Sequence, residues 1–437
     1  MVTAAVPQDP QDAQTDAQSA PVQSPPLTGL DQPTREPGFA SRSFLLLGAH
    51  GGESLHYDPN AGADDRYSAA RGLMSAEMEK AWKHLQTKLS YAGGESFDTG
   101  SSKNSQVQDF GTDVRLIGSK TQMLVRDRLS YLPEGNFEYS VFGGEGAYQV
   151  SGLSGLFGPS EGGSLFDANQ FGSFGNEPRL NNLSAVQLEE LVSPRSAVTG
   201  TAAFLINHFT DSRQGLIDSQ EMIAEGGYSY QLNRKDKIGV VYAYQSFHFP
   251  IEGFGGVKAN VLRAIYSHRV TGRIDLIAGA GPQFVSFTGP FGQVSQINLN
   301  ARTSIRYQLP RTSLTASYAH LVSGGSGFYA GANSDIVKFS VHRVVSRSWD
   351  MVGDTGFSRH SRILPVSSVI TSPTYDVVYT GVALRRQFRR YFDSFGAYQF
   401  NNLVTTSCSS SSLCRDFAMN NIFTVGMDFY FRPIRMD

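Results

Sequence analysis

Residues 295–309, SQINLNARTSIRYQL, alternate without a break. Ser295, Ile297, Leu299, Ala301, Thr303, Ile305, Tyr307 and Leu309 form a mostly apolar set, and Gln296, Asn298, Asn300, Arg302, Ser304, Arg306 and Gln308 form a polar or charged one. Side chains on a strand point to opposite faces with period two, so this is one strand with an apolar face and a wet face. Globular strands run to about 5–6 residues, far fewer than this one. A soluble sandwich turns its apolar faces inward and uses short strands. A strand that crosses hydrocarbon needs about 9–11 residues at ~45° tilt, and its sheet must close on itself to pair every backbone group.

The rest of the chain repeats the theme. Short turn signals recur as WKH near 83, GSK near 119, SPR near 194, NRKDK near 235, TGR near 272, PRT near 311, SRS near 347 and QFRR near 388. Between them lie longer Gly-, Ser-, Pro- and Asn-rich segments, among them 210–220, 249–257, 287–293, 322–334, 358–374 and 402–416. The spacing, near 40 residues, also fits propeller blades, but a blade needs four short strands where each repeat here has room for two long ones. Two long strands with short turns on one side and long loops on the other make a transmembrane antiparallel β-barrel. The pattern predicts strands over 43–56, 71–82, 84–93, 106–117, 121–132, 180–192, 196–209, 220–232, 237–248, 257–270, 273–286, 296–309, 312–322, 333–345, 348–358, 373–386, 391–402 and 417–432. That is about 18 strands, and 16 is the alternative if the first two pack elsewhere. Residues 180–192 and 257–270 carry mixed faces that read as bulges. Asp127 interrupts the apolar face of its strand and reads as a boundary residue.

Composition excludes several classes. A net charge of -2 gives no basic footprint for nucleic acid. No run approaches the ~18 apolar residues of a membrane helix. There is no Walker loop, dinucleotide fingerprint, HExxH or calcium loop, so no cofactor and no metal are expected. Residues 1–40 lack a basic segment and an apolar core, and read as a disordered periplasmic tail without a signal peptide; the barrel occupies 41–437. Cys408 and Cys414, spaced in a Ser-rich loop, suit a small disulfide.

The C-terminus reads Thr424-Val-Gly426-Met-Asp-Phe429-Tyr-Phe431. It resembles the C-terminal assembly signal of Gram-negative outer-membrane β-barrel proteins of the porin-like kind, although six residues follow the last aromatic. The resemblance implies an integral protein of the bacterial outer membrane. It further implies that the barrel-assembly machinery reads Gly426, Phe429 and Phe431, that lipid and lipopolysaccharide surround the barrel, and, by analogy with porins, that a trimer is one option.

Both tryptophans, Trp82 and Trp349, fall beside predicted short turns with Tyr391 and Phe392, where an aromatic girdle belongs. The predicted inward face carries Glu77, Glu79, Lys88, Asp109, Asp113, Arg115, Arg126, Arg128, Arg302, Arg306, Lys338 and His342. A barrel of this size leaves an aqueous lumen unless a loop fills it, and rings of charge in a pore set its selectivity. The reading is a passive diffusion channel for small hydrophilic solutes, with residues 133–178 as a long loop that narrows the mouth. The alternative is a scaffold for surface loops with a blocked lumen. Less favoured is an outer-membrane hydrolase: His342 and Ser346 faintly echo a phospholipase segment, and His360 and Asp354 are candidates only by proximity, with no nucleophile–base set that meets.

Overall fold

The computed structural model describes residues 43–57, 66–99, 104–132, 179–210, 217–250, 255–289, 292–324, 329–363, 374–389, 391–405 and 418–436. The tail over 1–40, the loop over 133–178 and both cysteines therefore lie outside the described residues.

Eighteen strands form the wall: β1 (Phe44–Tyr57), β2 (Arg66–Ala81), β3 (Leu85–Asp98), β4 (Asn104–Ile117), β5 (Thr121–Leu132), β6 (Arg179–Ser193), β7 (Ser196–Phe209), β8 (Ser219–Gln231), β9 (Asp236–His248), β10 (Gly256–Thr271), β11 (Ile274–Gly289), β12 (Gly292–Leu309), β13 (Thr312–Ser323), β14 (Ala332–Val344), β15 (Trp349–Arg362), β16 (Thr374–Arg389), β17 (Phe392–Thr405) and β18 (Ala418–Tyr430). Each pairs antiparallel with the next, and β18 returns to β1, with Gly48 opposite Tyr430 and Tyr57 opposite Asn421. The barrel is closed, so the first two strands belong to it and the sixteen-strand alternative falls. A two-residue strand, β19 (Ile434–Arg435), continues past β18 and pairs with Phe44 and Leu45. The residues beyond the last aromatic thus extend the seam. Side chains tie it as well: His50 Nδ1 lies 2.8 Å from Asp428 and its Nε2 2.7 Å from Ser75.

The faces of β12 decide what surrounds the barrel. Ile297 is 71% exposed and Leu299 58%, whereas Asn300 is 0% exposed. The same outward exposure of large apolar side chains recurs at Leu188, Phe204, Met222, Leu262, Val337, Phe339 and Val425. Water would expel such a surface, whereas acyl chains accept it. A closed sheet with this outer face is an integral outer-membrane barrel.

Segment 287–293, expected as loop, is instead the tip of a hairpin in which Gly289 opposes Gly292. The two mixed-face segments do contain register shifts, at Leu191/Ser193 in β6 and Arg269/Thr271 in β10, both beside short turns. Most of their mixing has other causes. In β6, outward Asn182 donates to the Arg128 carbonyl at 3.2 Å and outward Ser184 donates to Asp127 at 2.5 Å. Asp127 sits at the centre of β5, between Val125 and Leu129 on the same face, and not at a boundary. Lipid-facing carboxylates cost less than the ~2–4 kcal/mol of a mid-plane lysine, and the Ser184 bond offsets part of that. Asp127→Leu is expected to stabilise the barrel by about 1 kcal/mol in urea titrations from lipid vesicles.

Candidate functional site: the inner wall

Of the twelve residues expected on the inward face, Glu79, Lys88, Asp109, Asp113, Arg115 and Arg128 are buried, and the twelve fall in two sectors of the wall. In the first, β2–β5, opposite charges meet across strands. Asp113 accepts from Arg126 Nε at 2.6 Å and from Arg128 Nη2 at 2.7 Å. Lys88 lies 3.1 Å from Glu77, and Arg115 donates to Gln122 at 3.4 Å. Glu79 and Asp109 are buried on the same wall. The second sector holds Arg302 and Arg306 on β12 with Lys338 and His342 on β14; His342 Nε2 is 2.8 Å from Asp350.

Several inward groups were not singled out from the sequence: Arg179, Glu221, Glu225, Arg263 and Asp393, all buried; His360, read from the sequence only as a hydrolase candidate, is buried as well. His360 Nδ1 lies 2.8 Å from Ser334, its Nε2 2.9 Å from Ser358, and its ring stacks on Tyr375 with centroids 4.6 Å apart. Asp354 stands six residues away along the same strand, so the two are not a neighbouring pair. Ser346 falls in the turn before β15.

A polar chain crosses β9–β12. Arg263 Nη1 donates to Asn300 Oδ1 at 3.0 Å, Asn300 Nδ2 to Gln283 Oε1 at 3.3 Å, and Gln283 Nε2 to Gln245 Oε1 at 3.3 Å. The backbone beside it is irregular for a readable reason. β10 pairs with β11 up to Val261 opposite Gln283 and resumes at Ala264 opposite Ala280, leaving Leu262 and Arg263 unpaired on that side. They face Pro282, which has no N–H to give, and Gly281. A Cβ at Gly281 would stand 1.8 Å from the Leu262 carbonyl oxygen. Gly281→Ala therefore forces the strands apart, with an expected loss of about 1–3 kcal/mol in vesicle unfolding.

Towards the long-loop end the inner wall turns apolar. Phe247, Phe249, Val257, Val285 and Phe287 of the β9–β11 region pack with Val322 and Ala330, which flank the β13–β14 connection, and with Ile363 after β15. Gly331, at φ +88°, lets the chain turn inward: a Cβ there would sit 2.9 Å from Val257 and 3.3 Å from Ile363. On the other flank Tyr329 packs with Tyr375, Val377, Tyr379 and Leu403. Tyr329 and Ala330, just before β14, thus pack against strands that are not neighbours of β14 in the sheet.

At the short-turn rim, Lys80 lies 5.1 Å over the Trp82 ring, and Arg386 lies 5.2 Å over Trp349. Phe392 packs on Phe388 at 5.8 Å, and Tyr391 accepts a backbone bond from Tyr430 at 2.9 Å. Phe429 on β18 and Phe431 just beyond it are exposed, edge to face at 5.1 Å. The Phe395 ring covers Gly426 so closely that a Cβ would meet it at 2.3 Å. Among the described residues no cluster could hold a metal ion.

No protein-family description matches the chain, and no curated protein matches it. Among solved structures it is similar to OccK2 (OpdF) of Pseudomonas aeruginosa, at 10% identity and a TM-score of 0.45, covering 90% of this chain and 99% of that one. OccAB3 of Acinetobacter baumannii gives 10% identity and a TM-score of 0.43 over 90% and 100% of the two chains. A BenF-like porin from Pseudomonas fluorescens Pf-5 gives 10% and 0.43 over 91% and 100%. At this overlap the likeness assigns no solute and no residue role.

Proposed function

We propose that this barrel is a passive channel for small hydrophilic solutes. The observation that carries the reading is the charged inner wall inside a closed barrel with an apolar outer face. A lumen lined by Arg126, Arg128, Arg302 and Arg306, opposed by Glu77, Asp109 and Glu225, offers both signs of charge to a passing solute. The Asp113 triad and the Lys88–Glu77 pair shape that field while holding neighbouring strands in register. At the rim, Trp82, Trp349, Tyr391 and Phe392 act as an aromatic girdle, and Gly426, Phe429 and Phe431 as the signal read by the barrel-assembly machinery. Trimerisation and contact with lipopolysaccharide belong to the same reading.

One observation favours a second reading. The apolar contacts around Val322, Ala330 and Ile363 link strands that are not neighbours in the sheet, as a scaffold with a blocked lumen would require. Planar-bilayer recording of the purified protein separates the two. Stable ohmic steps are expected for the channel. Silence from barrels that still migrate as heat-modifiable folded species would reject it in favour of the scaffold.

A further inference from the structure

We propose that the inner wall of β8–β12 holds a binding site for a zwitterionic solute carrying a primary ammonium group beside a carboxylate, as α-amino acids do. Glu225 is the reason. Its side chain is 2% exposed, and its ion pair with Arg263 stands at 3.8 Å. Neither of its oxygens accepts a hydrogen bond. A carboxylate removed from water without donors is costly, and the chain as folded does not relieve that cost.

Arg263 cannot close the gap because it is engaged elsewhere: its Nη1 donates to Asn300, at the head of the carboxamide chain through Gln283 to Gln245. The missing backbone pairing opposite Gly281 and Pro282 frees the strand at Arg263. The result is a buried carboxylate and a buried guanidinium held side by side but short of full contact. An ammonium group supplies three donors to Glu225, and a carboxylate suits the guanidinium edge of Arg263. Charge balance selects against simpler ions. Glu221 and Glu225 act on Arg302 together with Arg263, so two carboxylates already face two guanidiniums. A ligand with no net charge preserves that balance, whereas a plain cation or anion upsets it. The site has an apolar ceiling: Phe247 follows Gln245, and Phe287 follows Gln283, on the same faces of β9 and β11. That ceiling suits an apolar side chain.

The site rests on the channel reading only for the route by which solute arrives; binding itself needs no conduction. The test is equilibrium dialysis of the full-length protein in detergent against labelled L-alanine and its N-trimethyl betaine, which keeps both charges but has no N–H. Alanine is expected to half-saturate at or below about 1 mM, with the betaine about tenfold weaker or worse. Glu225→Gln is expected to lose about tenfold in alanine affinity while remaining heat-modifiable. Equal binding of the two compounds by the wild type overturns the proposal, as does an undiminished Glu225→Gln, or no retained alanine. A polyol such as sorbitol binding in place of alanine overturns the ligand class. If alanine binds but bilayers stay silent, the site stands and the channel reading falls; if ohmic steps appear without alanine binding, the reverse holds.

Discussion

Exchanging two neighbours, V337K/K338V, is expected to lower the stability of the membrane-inserted barrel by about 2–4 kcal/mol. Composition does not change; only the faces do. Val337 is 47% exposed on the outer face, where it pairs with Tyr318 and Phe357. Lys338 points inward opposite Ser317 and Gly356. After the exchange an ammonium faces acyl chains near mid-height of β14, where hydrocarbon offers it neither water nor a partner. The folded-to-unfolded ratio in lipid should fall by a factor of about 30 to 800. Lys338→Val alone should stay within about 1 kcal/mol, because the lumen side does not demand burial. Urea titration from phosphatidylcholine vesicles, followed by the fluorescence of Trp82 and Trp349, reads all three proteins. A double variant as stable as the wild type would mean that Val337 does not meet lipid, and the inside-out arrangement would be lost with it.

Where the wall has lipid on one side and polar groups on the other, alternation suffices to read it. β12 is the clearest case, with Ile297 and Leu299 exposed and Asn300 buried, and Lys88 and Asp113 are buried in the same alternating way on β3 and β4. Legibility fails where a third environment intrudes. Val257 and Ala259 on β10 are apolar and inward because they meet Val322, Ala330 and Ile363 instead of water. A period-two pattern cannot distinguish that from a strand with no wet face. β6 fails for the opposite reason: Asn182 and Ser184 face outward because Asp127 and the Arg128 carbonyl give them partners on adjacent strands. Such partners become visible only once register is known. Two signals were readable and informative. Pro282 after Gly281 inside a strand marks a broken ladder, and it stands beside the Arg263–Asn300 chain. Glu221 and Glu225 keep the inward phase of β8, although Gly226 and Gly227 dilute the alternation there.

Tyr329→Ala is expected to raise single-channel conductance at least about twofold, because current follows the cross-section at the narrowest point. Tyr329 anchors the inward-turning connection between β13 and β14. Its ring lies 5.0 Å from that of Tyr375, and the Arg362 guanidinium covers it at 5.0 Å. Removing a packed aromatic of this kind costs about 3–5 kcal/mol locally. Val322, Ala330 and Gly331 would then rely on contacts with Val257 and Ile363 alone, and the connection would swing away from the lumen. Titration supplies an independent handle. Burial pushes the Tyr329 hydroxyl up to about 12, against the opposing pull of Arg362. The neutral phenol is the form that packs. Its contribution is therefore complete below the ordinary tyrosine value near 10 and is lost as pH climbs towards 12. Wild-type conductance should be insensitive to this group between about pH 6 and 9 and rise only above about 10, whereas Tyr329→Ala should conduct at the higher level throughout. Unchanged conductance in Tyr329→Ala barrels that fold normally would show that these contacts do not set the width of the pore. Persistent silence in both proteins would move the weight to the scaffold reading, in which the apolar bridge braces the surface loops and does not narrow a path.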